Sequence, residues 1–138
     1  MMTPKKAVPP RRTWTWWTGW TLTAIPIALL LLSATMKLLH PPEVLALFTG
    51  KLGFDAGILT GLAILELACA LLYAIPRTSF LGAILLTGYL GGAIVSHVRI
   101  GDAGFVTPLV LGIFVWAGLY LRESRLRALN PMLSPVAG

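Results

Sequence analysis

The sequence predicts an all-α protein: a bundle of four membrane-spanning helices with both termini on the cytoplasmic side. Three observations carry this expectation. The 138 residues are 57% hydrophobic and 12% charged, about half the charged fraction of an ordinary soluble domain. Four apolar segments of spanning length follow one another, and about 20 helical residues cross roughly 30 Å of hydrocarbon. The net charge of +6 sits mostly at the two ends of the chain, as membrane topology requires, and not in a stripe that would read nucleic acid.

The elements follow in order. Residues 1–16 are basic and Pro-rich, a disordered tail by composition. A secretory signal fits poorly, because the apolar run that follows is too long and no small-residue cleavage site interrupts it. Arg11-Arg12 suggests a twin-arginine signal, but Trp14, Trp16, Trp17 and Trp20 read as an interfacial aromatic belt. The first span covers 17–39. Pro26 lacks a backbone donor and is expected to kink it, with Thr21 or Thr23 satisfying the freed carbonyl near Leu22.

The connection 40–55 opens with Pro41-Pro42 and sets Val44, Leu45, Leu47, Phe48 and Leu52 among Glu43, Thr49 and Lys51. A short helix lying in the interface fits that pattern, with a plain loop as the alternative. The second span covers 56–75, and Pro76-Arg77-Thr78-Ser79 turns it into the third, 80–98. Gly101-Asp102-Ala103-Gly104 then leads into the fourth, 106–121. Residues 122–138 form a cytoplasmic tail, helical and basic at first and Pro-rich at its end.

Orientation follows from Lys and Arg. Lys5, Lys6, Arg11, Arg12, Arg77, Arg122, Arg125 and Arg127 fall on one side of such a bundle; Lys51 and Arg99, with Lys37 near the rim, fall on the other. The positive-inside rule puts the first group in the cytoplasm. Tyr73 and Tyr120 would join the tryptophans at that interface. Gly53, Gly57 and Gly61, and again Gly88 and Gly92, recur every four residues. Such flat faces serve either close packing within the bundle, the favoured reading, or a homo-oligomer seam.

Glu66 is the one charge within residues 56–75. A charge at mid-bilayer costs about 3 kcal/mol on insertion scales, so it should face the bundle and find a partner. Glu66 lies roughly 16 Å from the outer end of its helix, whereas Lys37 and His97 lie within a turn of theirs. Helical side chains lean toward their own N-terminus, so all three converge on one level in the outer half of the membrane. Ser33 is one turn before Lys37, and Tyr89 two turns from His97 on the same broad face. Plainer readings stand beside these. Lys37 could snorkel to the headgroups, His97 could be an ordinary interfacial histidine, and Glu66 could be protonated and hydrogen-bonded to Thr or Tyr.

Cys69 is the only cysteine, so neither an intrachain disulfide nor a C-x-x-C site exists. No metal site, Fe–S motif or nucleotide loop is read, and His40 with His97 makes a poor haem pair because both lie at rims.

Several motifs occur in a telling order: S-x-x-x-K at Ser33–Lys37, E-L-A-C-A-L-L from Glu66, P-R-T from Pro76, L-G-A from Leu81, G-G-A from Gly91 and H-V-R-I-G-D from His97 to Asp102. Over about residues 21–121 the chain resembles the DoxX-like family of small four-helix bacterial membrane proteins. The resemblance implies a multi-pass protein of the bacterial inner membrane. Some relatives are small subunits of quinone-linked sulfur-oxidising or terminal oxidase complexes. The ligand-binding candidates are Ser33, Lys37, Glu66, Tyr89, His97 and Asp102.

The leading expectation is an accessory membrane subunit, non-catalytic by itself, that binds a quinone or another lipid-like molecule. Its partners would be the lipid bilayer and a membrane redox complex or further copies of itself, with no nucleic acid. One alternative is an intramembrane enzyme or redox-complex subunit using Glu66 and His97 for proton transfer. Another is a small proton-coupled transporter, though inverted repeats and broken helices are missing from the pattern.

Overall fold

The computed structural model describes residues 14–129. The disordered reading of residues 1–13, and that of the Pro-rich end beyond residue 129, lie outside the described residues. Among the described residues every regular element is helical: α1 (Trp14–Leu39), α2 (Pro42–Leu45) running on as a π-helical turn (Ala46–Lys51), α3 (Ile58–Ala74), α4 (Ser79–Arg99), α5 (Val106–Arg122) and the short α6 (Ser124–Ala128). A 3-10 turn, Ala103–Phe105, leads into α5.

α1, α4 and α5 with its leading turn are each long and apolar enough to cross a membrane; α3, at 17 residues, is a shorter apolar helix. It is thus tighter than the expected 56–75. Its start is set by Asp55, whose Oδ1 accepts the Gly57 N–H at 2.8 Å. Its end is set by Pro76, which pushes the preceding Ile75 to an extended conformation (ψ 121°). α1 begins at Trp14, so residues 14–16 belong to the helix and not to the tail. No breaker separates them from the span, and Trp16 packs edge-on to Trp17 and Trp20, with centroids 5.0 and 6.1 Å apart. The short helix expected in residues 40–55 is present as α2 and its π-helical continuation.

The four long helices form a ring. α1 packs on α3 and α5, and α4 packs on the same two from the opposite corner. The core is built of Leu30, Cys69, Ala70, Tyr73, Ala83, Leu86, Leu90, Leu111, Val115 and Leu119. Ala34 and Ala63 are also fully buried, while Leu32, Ile64, Leu71 and Ile113 point outward. Alanines among the leucines inside, with further large apolar side chains outside, is the pattern of a bundle in lipid, where backbones must approach to gain contact.

The glycines that permit this approach are not the ones the sequence pattern favoured. A Cβ on Gly82 would lie 2.3 Å from the Tyr73 backbone nitrogen, one on Gly118 2.7 Å from Thr23 Oγ1, and one on Gly19 2.9 Å from the Arg122 nitrogen. Gly61, Gly88 and Gly92 face open space, Gly57 meets only its own Asp55, and Gly53 (φ +74°) serves a turn. The inner face of α3 runs through Leu59, Ala63, Glu66, Ala70 and Tyr73, and that of α4 through Ser79, Gly82, Ala83, Leu86 and Leu90. These rows turn the four-residue glycine series away from the core.

Two further expectations change. Tyr73, expected at the inner interface, is fully buried. Its hydroxyl donates to the Val115 carbonyl at 2.7 Å and lies 3.4 Å from Thr23 Oγ1, giving the buried phenol its polar partner. Thr21 and Thr23 do not serve the Leu22 carbonyl. They donate one turn back, to Trp17 and Gly19, at 2.9 and 2.8 Å. A second polar tie joins α4 and α5, where Trp116 Nε1 donates to Thr87 Oγ1 at 2.9 Å.

Candidate functional site

Ser33 and Lys37 are four residues apart on α1 and therefore share a face. That face turns inward, alongside Leu30 and Ala34. α3 presents Glu66 from its own inner row. Across the α1–α3 contact the Lys37 ammonium donates to Glu66 Oε2 at 2.7 Å and to Ser33 Oγ at 2.5 Å, while Ser33 Oγ lies 3.4 Å from the same Glu66 oxygen. The pair is closed off: the side chains keep 8% and 2% of their exposure. Lys37 therefore does not snorkel. Its carbon stem bends back along α1, as the lean of helical side chains allows, and closes the difference in depth. Tyr89 joins from α4, with its hydroxyl addressed to the Glu66 carboxyl.

Hydrogen-bonding capacity remains at this cluster. An ammonium has three donors, and Lys37 gives two of them to Ser33 and Glu66. Glu66 Oε2 takes both bonds, and Oε1 takes neither. The ring of Phe48, from the connection between α1 and α3, lies 5.8 Å from the Lys37 nitrogen, within cation–π range.

His97 and Asp102 form a separate site at the rim. His97 Nδ1 and Asp102 Oδ2 are 2.7 Å apart, and both side chains are partly exposed. The hydrogen bond to His97 holds the Asp102 carboxyl below its ordinary range, with the Gly104 N–H and the Lys51 charge acting the same way and partial burial opposing them. The expected three-way convergence thus resolves into an intramembrane pair and a rim pair. Gly101 (φ +68°) bends the chain back so that Asp102 meets His97 from five residues on. The Gly101-Asp102 turn was the available signal for that contact.

Sequence reasoning missed Phe48 and two arginines. Arg99 donates from Nη2 to the Leu52 carbonyl. Arg122 lies between the Trp20 and Tyr73 rings, 4.9 Å from each centroid, and donates to the Tyr73 carbonyl at 2.8 Å. No periodicity marks a cation that stacks on rings of two other helices. His40 contacts only the nearby Leu38 carbonyl, at 2.9 Å, and takes a left-handed backbone (φ 49°).

The family model described as the DoxX-like family matches residues 21–118. That stretch holds Ser33, Lys37, Glu66, Tyr89, His97 and Asp102. No curated protein and no solved structure matches the chain.

Proposed function

The chain belongs to the DoxX-like family of membrane proteins, and on that premise we propose that it spans the bacterial inner membrane four times, with both termini in the cytoplasm, and serves as an accessory subunit binding one quinone-like molecule at the Lys37–Glu66 pair. The observation that carries this reading is a buried ion pair with hydrogen-bonding capacity left over. Two apolar side chains of similar volume pack as well as a buried ion pair, and often better. The charges are therefore a cost that packing alone does not explain. The unfilled ammonium donor suits a head group with an acceptor oxygen, while the apolar helix faces suit its tail. Glu66 and His97 hold separate partners, which favours binding over a proton relay between them.

The four-span topology is supported by α3, about 25 Å long at 1.5 Å per residue, continued by apolar residues at both ends. The orientation is supported by charge. Arg77, Arg122, Arg125 and Arg127 lie at one end of the bundle, against Lys51 and Arg99 at the other. Reporter fusions at the C-terminus and within residues 42–51 should report opposite sides; the same side for both overturns the topology.

Native mass spectrometry of protein released gently from membranes tests the binding. Wild type should retain a quinone or another lipid-like adduct. Glu66→Gln and Ser33→Ala should retain about tenfold less, as follows from losing a hydrogen bond to a charged group. Equal retention by all three proteins removes the pair from any binding role.

A further inference from the structure

The segment joining α1 to α3 has the marks of a door over this site. It is bracketed by two left-handed residues, His40 (φ 49°) and Gly53 (φ +74°). Between them α2 passes into the π-helical turn, where Leu52 N–H reaches the Leu47 carbonyl at 2.9 Å and Phe54 N–H the Phe48 carbonyl at 2.8 Å. Such turns are rare, and they are frequent at functional sites. No residue of α2 or of the π-helical turn is buried. Leu52, 3% exposed, is the segment's one buried anchor. The other ties are the Arg99 bond to the Leu52 carbonyl, the Lys51 charge facing Asp102, and Phe48, which rests on Lys37 and lies 6.2 Å from the Phe54 ring. A segment with so little buried apolar contact opens locally at low cost.

Resting on the binding reading above, we propose that residues 41–52 are a lid on the Lys37–Glu66 site, that Phe48 holds the place of the ligand's head, and that the ligand's head is therefore a flat ring bearing a carbonyl or hydroxyl. Ser33 and Glu66 take two sides of the Lys37 ammonium, and the Phe48 ring lies against it. A planar head replacing that ring keeps the cation–π contact. It also adds what phenylalanine cannot, an oxygen for the third ammonium hydrogen. The glycerol head of phosphatidylglycerol has no flat ring to inherit the position.

The test uses the full chain in lipid nanodiscs, with decylubiquinone as the ring-bearing probe and phosphatidylglycerol as the ringless control. Phe48→Ala removes the competitor from the site, so the competent fraction rises and the apparent affinity for decylubiquinone rises with it. A gain of about threefold to thirtyfold corresponds to the strength of a cation–π contact. Spin labels at Thr49→Cys and Val98→Cys, in a Cys69→Ala background, should move apart when decylubiquinone binds and stay put with phosphatidylglycerol. Binding by wild type with no gain in Phe48→Ala and no change in label distance overturns the lid and leaves the binding reading standing. A loss of affinity in Phe48→Ala makes Phe48 a wall of the pocket and also overturns it. No binding of decylubiquinone by either protein removes both readings.

Discussion

Glu66→Ala should destabilise the bundle by about 3–5 kcal/mol, the usual cost of stranding one partner of a buried ion pair. The stranded group is Lys37, 6% exposed, which would keep only Ser33 and the Phe48 ring. Reversible unfolding in mixed micelles, followed by helical circular dichroism, reads the loss. Glu66→Gln should cost less, because a side-chain amide still accepts from the ammonium. The double variant Lys37→Met/Glu66→Leu should recover most of the lost stability, since neither charge is then left alone. Non-additivity of about 0.5–3 kcal/mol between the single variants would measure the coupling. Glu66→Ala unfolding together with wild type would mean the pair contributes nothing to holding α1 against α3.

Gly82→Ala carries the second large effect. Its Cβ would lie 2.3 Å from the Tyr73 nitrogen and 2.5 Å from the Tyr73 Cα. These are backbone atoms of a neighbouring helix, and no rotamer change relieves them. The α3–α4 hairpin must spread, at a cost of about 1–3 kcal/mol or more. Tyr73 would shift with it, and Tyr73 bonds Val115 of α5 and meets Thr23 of α1, so damage to one hairpin reaches all four long helices. Gly88→Ala and Gly92→Ala supply the contrast. Their added methyl groups meet nothing within 4 Å, and exchanging a mid-helix glycine for alanine favours the helix by about 0.5–1 kcal/mol. The same unfolding measurement separates the cases. Gly88→Ala as damaging as Gly82→Ala would place the close helix contact on the wrong face of α4.

The sequence by itself determined the all-helical class, the order and approximate ends of the apolar helices, the short helix between the first two, and the family motifs. These are properties of single segments: length, hydropathy, prolines and turn glycines. It also pointed Lys37 and Glu66 toward a common level, because side-chain lean along a helix is a local rule. The tertiary structure alone decided which face of each helix turns inward. In water, a polar face would have marked the outside. In lipid, leucine is as well placed outside as inside, so α3 and α4 are apolar nearly all round and periodicity loses its reference. That is why the series through Gly61, Gly88 and Gly92 looked like packing while Gly82 and Gly118 make the close contacts, and why Tyr73 lies in the core. His97 and Phe48 show the other limit. Their partners, Asp102 and Lys37, depend on how a turn and a connection fold over the end of the bundle, and such contacts are settled only once the helices have taken their places in the ring.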